Sequence, residues 1–335
     1  MSAAVEHLIG LQAQEPRDPY LALWSRLEGF RPEDLARLLE ERRVVRIALM
    51  RSTIHLVSAD DCLVLRPLVQ PVLDAELTRY RDLRGVDVDA VLAFARGVLA
   101  ERPRSGRELR TVLAARFPEH DAGDLAYACR NLLALVQVPP RGVWGRRSQV
   151  LSTTAETWLG RPLAAKPSLE SMVMRYFAAF GPATVADVAT WSRLSGLREI
   201  VERVRPRLRT FRDERGRALF DLPDAPRPDP MIPAPPRFLP EYDNVLLSHA
   251  DRTRFVSAEQ RRAFSRVEGR VNGTVLSEGF VFGVWQRRPE GTLVVSHTGR
   301  ASKRTLAAIT AEGRRLLRLI APGAEPPDVT FIRVD

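Results

Sequence analysis

The stretch that decides the fold is PEDLARLLEERRVVRIALMRSTIHLV, residues 32–57. Pro32 opens a predicted helix, because proline suits the first helical position and the two acidic residues after it suit the positive end of the helix dipole. The leucines that follow recur at helical spacing. Residues 44–49 and 54–57 then predict two strands, with a turn at or near residues 51–53. Helices followed by a two-stranded wing are typical of winged helix-turn-helix units.

The same order of elements recurs twice downstream. Ser105 with Glu108, and Thr184 with Asp187, have the spacing of helix N-terminal caps, and each pair precedes further predicted helices and a hairpin. We therefore predict an α+β protein with three tandem winged-helix motifs and a C-terminal β-rich domain. The predicted modules are winged helix 1 at 1–85, winged helix 2 at 86–160, winged helix 3 at 161–223, a proline-rich linker at 224–236 and the β-rich domain at 237–335.

Composition and charge narrow the function classes. The 335 residues carry a formal net charge of +10 with a sequence pI near 10.5, and a basic surface attracts polyanions such as nucleic acid. Only two lysines are present, so the arginine excess is equally typical of a GC-rich genome. No apolar run reaches the roughly 20 residues of a membrane span, and the first residues lack the pattern of a signal peptide. These features predict a cytosolic, nucleoid-associated protein.

The basic charge is concentrated in one segment. Residues 193–217 contain nine arginines against four acidic residues, a net charge of +5. The segment covers the predicted last helix and wing of module three, where arginines would contact DNA phosphates. A solvated face with many short ion pairs is the alternative. We expect Cys62 and Cys129, each among apolar residues, to be buried reduced thiols, and we expect no metal and no other cofactor.

Three segments carry a family resemblance: GLQAQEP at residues 10–16, LMRSTIHLV at 49–57 and FLPEYDN at 238–244. In these segments the chain resembles the AlkZ/YcaQ-type winged-helix DNA glycosylases, across essentially its whole length. The resemblance implies winged helices around a concave DNA-binding cleft and removal of bulky N7-alkylated purines, with crosslink unhooking in some members. It also implies that module one is N-terminally short, since only eleven residues precede Gln12.

The resemblance assigns catalysis to Gln12 and Gln14, the two-glutamine form of the family's catalytic element. Alkylation at N7 makes the base a cationic leaving group, so positioning a water at C1′ can suffice. An amide offers both an acceptor and donors for this. In an extended segment the two side chains would share one face. The alternative is a polar pair that ties down a loop.

The remaining site residues are predicted DNA contacts. Arg51, Thr53 and His55 would share one face of a strand and meet the lesion strand, or else form a half-exposed strand. The full set of predicted DNA-binding residues is Arg51, Thr53, His55, Arg146, Arg147, Arg209, Arg212, Arg215 and Arg217. Asp243 is assigned an interdomain structural role. Trp144 is assigned a packing role, with contact to DNA as the alternative.

Together these features predict a monomeric, monofunctional DNA glycosylase that acts on double-stranded DNA, alkylated or crosslinked. Two alternatives remain open. One is a winged-helix transcription regulator in which the glutamines are structural. The other is an inactive homologue that senses or shields lesions.

Overall fold

The computed structural model of the protein describes residues 1–322 and 328–334. The chain forms two compact units with a mixed α/β fold. The first unit contains residues 1–20 and 29–225, and the second contains residues 21–28 and 226–335. Within the described ranges, no helix is both long and apolar enough to cross a membrane.

Helices dominate the first unit. Its helices are α1 (Ser2–His7), α2 (Asp18–Trp24, which continues into the second unit), α3 (Pro32–Glu40), α4 (Ala59–Leu68), α5 (Gln70–Tyr80), α6 (Val88–Glu101), α7 (Gly106–Arg116), α8 (Ala122–Leu132), α9 (Ala155–Leu159), α10 (Leu169–Phe180), α11 (Val185–Ser192) and α12 (Leu197–Val204). Its strands are β1 (Leu11–Gln12), β2 (Val44–Ala48), β3 (Ile54–Ser58), β4 (Arg104–Ser105), β5 (Leu135–Gln137), β6 (Leu151–Thr154), β7 (Arg209–Arg212) and β8 (Ala218–Asp221).

The sequence located the starts of several of these helices because their N-terminal residues are characteristic. The Ser105 hydroxyl accepts from the backbone of Glu108 while the Glu108 carboxylate accepts from Ser105, a complete capping box at α7. Thr184 and Asp187 form the same arrangement at α11. Pro32 occupies the first turn of α3 as expected. The interpretation of each group of helices and strands as a winged helix stays a prediction.

The strand connectivity differs from three separate hairpins. Strands β1 to β6 form a single six-stranded sheet in the order β1-β3-β2-β5-β6-β4, and only β7 and β8 stand apart as a two-stranded sheet. The two predicted wings join where Ile47 of β2 pairs with Val136 of β5. This pairing links residues almost ninety positions apart, so no local pattern in the sequence could reveal it.

One apolar cluster of the first unit joins residues of this sheet to the third group of helices. Ile47 and Val136 are fully buried there, together with Tyr176 and Phe177 of α10 and Trp191 of α11. The third group of helices thus packs on the sheet that the first two groups build. Cys62 and Cys129 are buried free thiols, as predicted.

The second unit is a five-stranded sheet with helices, in the order β13-β12-β11-β10-β9. Its elements are β9 (Arg237–Pro240), α13 (Asn244–Leu247), α14 (Ala258–Phe264), β10 (Gly273–Ser277), β11 (Phe280–Arg287), β12 (Leu293–His297), α15 (Lys303–Ile320) and β13 (Val329–Arg333). The largely apolar run 273–287 forms a hairpin of β10 and β11. Glu278 and Gly279 turn the chain with φ of 53° and 83°, which suits the tight turn between antiparallel strands.

Asp243 has a structural role within this unit. Its carboxylate, which is fully buried, accepts two hydrogen bonds from Arg26, at 2.9 and 2.7 Å. It also caps α13 by accepting from the backbone N–H of Val245. The buried pair therefore ties the segment 21–28 to the C-terminal part of the chain, which agrees with a structural rather than a DNA-binding role.

Candidate active site

Gln12 lies on a short strand that is held tightly against β3. In the antiparallel pairing of β1 with β3, Gln12 stands opposite His55. The approach depends on Gly10, which has a φ of 90°. A Cβ atom at this position would lie 2.5 Å from the side chain of Val57. Any other residue would therefore both strain the backbone and push Gln12 away from β3.

The two glutamines have different surroundings. Gln12 is 6% exposed, whereas Gln14 is exposed and its Oε1 accepts a long hydrogen bond of 3.4 Å from the backbone N–H of Ile54. The strand ends at Gln12, and the Ala13 carbonyl accepts from Arg46. Beyond Gln12 the Ala13 N–H still donates to the Ile54 carbonyl at 2.7 Å, and the sharing of one face by the two amides stays a prediction.

The side chain of Gln12 is bound by Arg51. Arg51 Nη2 donates to Gln12 Oε1 at 2.9 Å, and Arg51 Nη1 donates to the Trp191 carbonyl at 2.5 Å. Arg51 lies in a 3₁₀ turn at the tip of the β2–β3 hairpin, with φ of 58°, followed by Ser52 with φ of 56°. Consecutive left-handed residues without glycine are costly, and such strain is found where the surrounding contacts enforce it.

His55 completes this cluster. It is 1% exposed, its Nδ1 lies 2.9 Å from the Thr53 carbonyl, and its Nε2 lies 3.3 Å from Arg51 Nη2. Burial, reinforced by the positive charge of Arg51, lowers the pKa of His55 to about 3. A neutral ring that donates from Nδ1 and accepts at Nε2 satisfies both contacts.

Arg51 does not lie on a strand with Thr53 and His55 as expected, while the contact of these residues with DNA stays a prediction. Arg51 belongs to the turn, and the Thr53 hydroxyl donates to the Met50 carbonyl. The structure brings Gln12, Arg51 and His55 together and leaves Gln14 and Thr53 bonded to main-chain groups. The turn itself was expected at 51–53, but its geometry depends on Trp191, which is remote in sequence.

The sequence analysis also did not identify the contacts that hold the second predicted wing, residues 139–147, in place. The Tyr20 hydroxyl donates to the Gly142 carbonyl at 2.8 Å and accepts from the backbone of Trp144. Arg46, 1% exposed, donates both to Gln137 and to the main chain of the glutamine motif. The available signal was the arginine in the otherwise apolar strand Val44–Ala48, which implies a buried guanidinium with fixed acceptors.

The aromatic ring of Trp144 packs on Tyr20, with ring centroids 4.9 Å apart. Arg17 lies over the same indole at 5.8 Å. These contacts agree with the predicted packing role of Trp144. Arg146 and Arg147, which follow it, are exposed. The two exposed arginines of the second predicted wing therefore follow a segment that is bonded to Tyr20, shortly after the glutamine motif.

The basic segment of the third group of helices is largely at the surface. Exposed arginines on the β7–β8 hairpin are Arg209, Arg212, Arg215 and Arg217. Some of the segment's charge is paired: Arg217 binds Asp213 at 2.6 Å, and Arg203 and Arg205 bind Glu170 and Glu202. Both interpretations of the segment thus have support, since an exposed basic hairpin coexists with short ion pairs.

Comparisons with known proteins agree with this architecture. The model of a protein family described as "AlkZ-like: DNA glycosylase AlkZ-like" matches residues 5–319. Among solved structures, the Streptomyces sahachiroi DNA glycosylase AlkZ superposes with a TM-score of 0.81 at 23% sequence identity, covering 99% of this chain and 93% of that chain. At this identity the likeness concerns the fold. No protein of curated function matches the chain significantly.

Proposed function

Because the chain belongs to the AlkZ-like DNA glycosylase family, we propose that it hydrolyses the N-glycosidic bond of N7-alkylated purines in duplex DNA. The observation that carries this proposal is the oriented amide of Gln12. A guanidinium can only donate, so the atom of Gln12 that faces Arg51 must be the carbonyl oxygen. The Gln12 NH₂ group makes no hydrogen bond within residues 1–322 and 328–334, and it is therefore available to a ligand.

The two amides then have complementary roles. Gln12 donates to the oxygen of a water, while Gln14 Oε1 accepts one of its hydrogens. A carbonyl oxygen has two lone pairs, so Gln14 can do this while keeping its long bond to Ile54. The second lone pair of the water attacks C1′ as the C1′–N9 bond breaks. The electron pair of that bond neutralises the alkylated base, and the excess proton of the water passes to solvent.

The arginines of the two hairpins would hold the duplex. Arg146 and Arg147, between β5 and β6, are exposed cations. So are Arg209, Arg212 and Arg215 on the β7–β8 hairpin. Contacts of this kind fix the position of a duplex without reading its sequence. Neither glutamine is a strong base, so the rate depends on positioning and on the cationic lesion.

The test is release of N7-methylguanine from a duplex, followed as free base and as alkali-labile abasic sites, with a duplex crosslinked through guanine N7 as second substrate. Gln12→Ala and Gln14→Ala should each lower the rate by about 100-fold or more, as expected when positioning is removed. Gln286→Ala is the control for a buried glutamine, and Gln149→Ala for an exposed one. Both should retain activity.

The rival functions give different outcomes. A regulator or lesion sensor would bind the duplex and release no base. A regulator would not distinguish alkylated from unmodified DNA, while a sensor would bind the alkylated duplex more tightly. Equal activity of wild type and both glutamine variants would remove the two amides from the mechanism.

A further inference from the structure

Arg51 stands between the glutamine motif and the third group of helices. It contacts Gln12 and His55 on the first sheet and the Trp191 carbonyl in the last turn of α11. A cation is favoured at this end of a helix, because the carbonyl ends of the peptide dipoles point toward it. The guanidinium is thus fixed from the α11 side, independently of Gln12.

The planar guanidinium sets the direction of the Gln12 amide. An unrestrained glutamine can turn its amide through half a revolution at little cost, exchanging donor and acceptor. Beside Arg51 the reversed orientation would place NH₂ against a guanidinium N–H, two donors without an acceptor. Arg51 Nη2 at 2.9 Å from Oε1 therefore selects one orientation.

His55 contacts the same guanidinium group of Arg51. Its Nε2 faces the same Nη2 of Arg51 at 3.3 Å, and its Nδ1 faces the Thr53 carbonyl. The imidazole is therefore an acceptor toward Arg51 and occupies the space into which the guanidinium would otherwise turn. Arg51 and His55 are thereby committed to protein partners, in contrast to the exposed arginines of the hairpins.

We propose that Arg51 is a positioning residue, which holds the amide of Gln12 with its NH₂ group toward the ligand. His55 holds Arg51 in place through the contact of its Nε2 with Arg51 Nη2, and neither residue contacts DNA. The proposal rests on the catalytic role proposed for Gln12. It replaces the expectation that Arg51 and His55 bind the lesion strand.

The direct test is the side-chain NH₂ resonance pair of Gln12 in ¹⁵N-labelled protein, identified by its disappearance in Gln12→Ala. In wild type the pair should lie away from the position of a free glutamine amide. In Arg51→Met it should move to that position, while Arg51→Lys, which keeps a donor, should give an intermediate shift. Arg66→Lys is the control, because Arg66 is a buried arginine that donates to other main-chain carbonyls, those of Asn131 and Leu133.

Kinetics separate positioning from folding and from DNA binding. Arg51→Met should lower kcat for base release by roughly 10- to 100-fold with KM nearly unchanged, since no group that touches DNA is removed. Arg51→Ala should regain part of its activity with added guanidinium, and Gln12→Ala should not. A rise in KM at constant kcat would identify Arg51 as a DNA-binding residue and overturn the proposal.

Gln12→Glu tests the contact without altering Arg51. A carboxylate can accept from Arg51 but cannot donate, so this variant should unfold at a higher temperature than Gln12→Ala and still release no base. An unchanged Gln12 resonance in Arg51→Met, or equal melting of the two Gln12 variants, would overturn the proposal. If the wild type releases no base, the proposed function fails, while the resonance and melting experiments still decide the role of Arg51.

Discussion

At the scale of single residues, the candidate site is a small polar cluster in an apolar setting. Arg51 contacts Gln12, His55 and the Trp191 carbonyl, and His55 also contacts the Thr53 carbonyl. A cluster of this kind is rigid only when every member is bonded, because an unpaired polar group inside a protein is costly. The protonation state of His55 is therefore a property of the whole cluster.

His55 predicts a pH dependence of stability. Its folded-state pKa of about 3 lies below the value near 6.5 in an unfolded chain. Below pH 6.5 the unfolded state therefore binds a proton that the folded state does not. The stabilisation is complete above pH 6.5, and the free energy of unfolding falls by up to about 1.4 kcal/mol per unit as the pH decreases.

The measurement is urea unfolding between pH 7.5 and 5, above the range in which most carboxylates titrate. Wild type should lose about 2 kcal/mol more than His55→Gln over this interval. His120→Gln, which removes a histidine near the surface, should follow the wild-type curve. Parallel curves for wild type and His55→Gln would mean that the imidazole is not held neutral.

The sequence could indicate the members of this cluster but not their relations. The motif around Gln12 and the segment around Arg51 and His55 were both identified as candidate site residues. Their geometry depends on the left-handed turn at Arg51 and on the carbonyl of Trp191, 140 positions away. A side chain's partner across that distance is set by packing, which no local periodicity encodes.

At the scale of elements, caps and turns were predictable and strand pairing was less so. Ser105, Thr184 and Pro32 mark their helices because each satisfies or omits a backbone N–H in the first turn. The joining of β2 to β5 has no such local cause, since both strands are short and both are apolar enough to pair elsewhere. The Glu278–Gly279 turn is equally hard to locate from the sequence, because it interrupts a largely apolar run.

The buried ion pair of Arg26 and Asp243 predicts how much the free energy of unfolding falls when one partner is removed. Both carboxylate oxygens are bonded to Arg26 and the carboxylate is fully buried, so Asp243→Asn should leave Arg26 without its counter-charge. Breaking one partner of a buried pair costs about 3–5 kcal/mol. Thermal or urea unfolding should reveal a destabilisation of this size.

The control is Asp34→Asn, which also removes one carboxylate that is paired with arginine. Asp34 and its partners, Arg31 and Arg37, lie at the surface of α3. A surface network of this kind should contribute no more than about 1 kcal/mol. If the two variants lose similar stability, the Asp243 contact does not have the structural importance that its burial implies.

At the scale of the whole molecule, the effect of the net charge of +10 on DNA binding depends on where the charged residues lie. The exposed β7–β8 hairpin predicts that DNA affinity decreases steeply with salt, because each neutralised phosphate releases a counterion. When Arg209, Arg212 and Arg215 are replaced by Gln, the plot of the log of the DNA association constant against log salt should become less steep. The magnitude of its slope should decrease by about 2 to 3, roughly 0.9 for each phosphate that the variant no longer neutralises. Fluorescence anisotropy over a salt series measures this slope.

The control is a second triple variant, in which Arg304, Arg314 and Arg318 on α15 are replaced together. It removes the same charge from exposed positions elsewhere and should leave the slope nearly unchanged. An equal reduction in both triple variants would show that DNA responds to the total charge of the protein, and the hairpin would then be a solvated charged face.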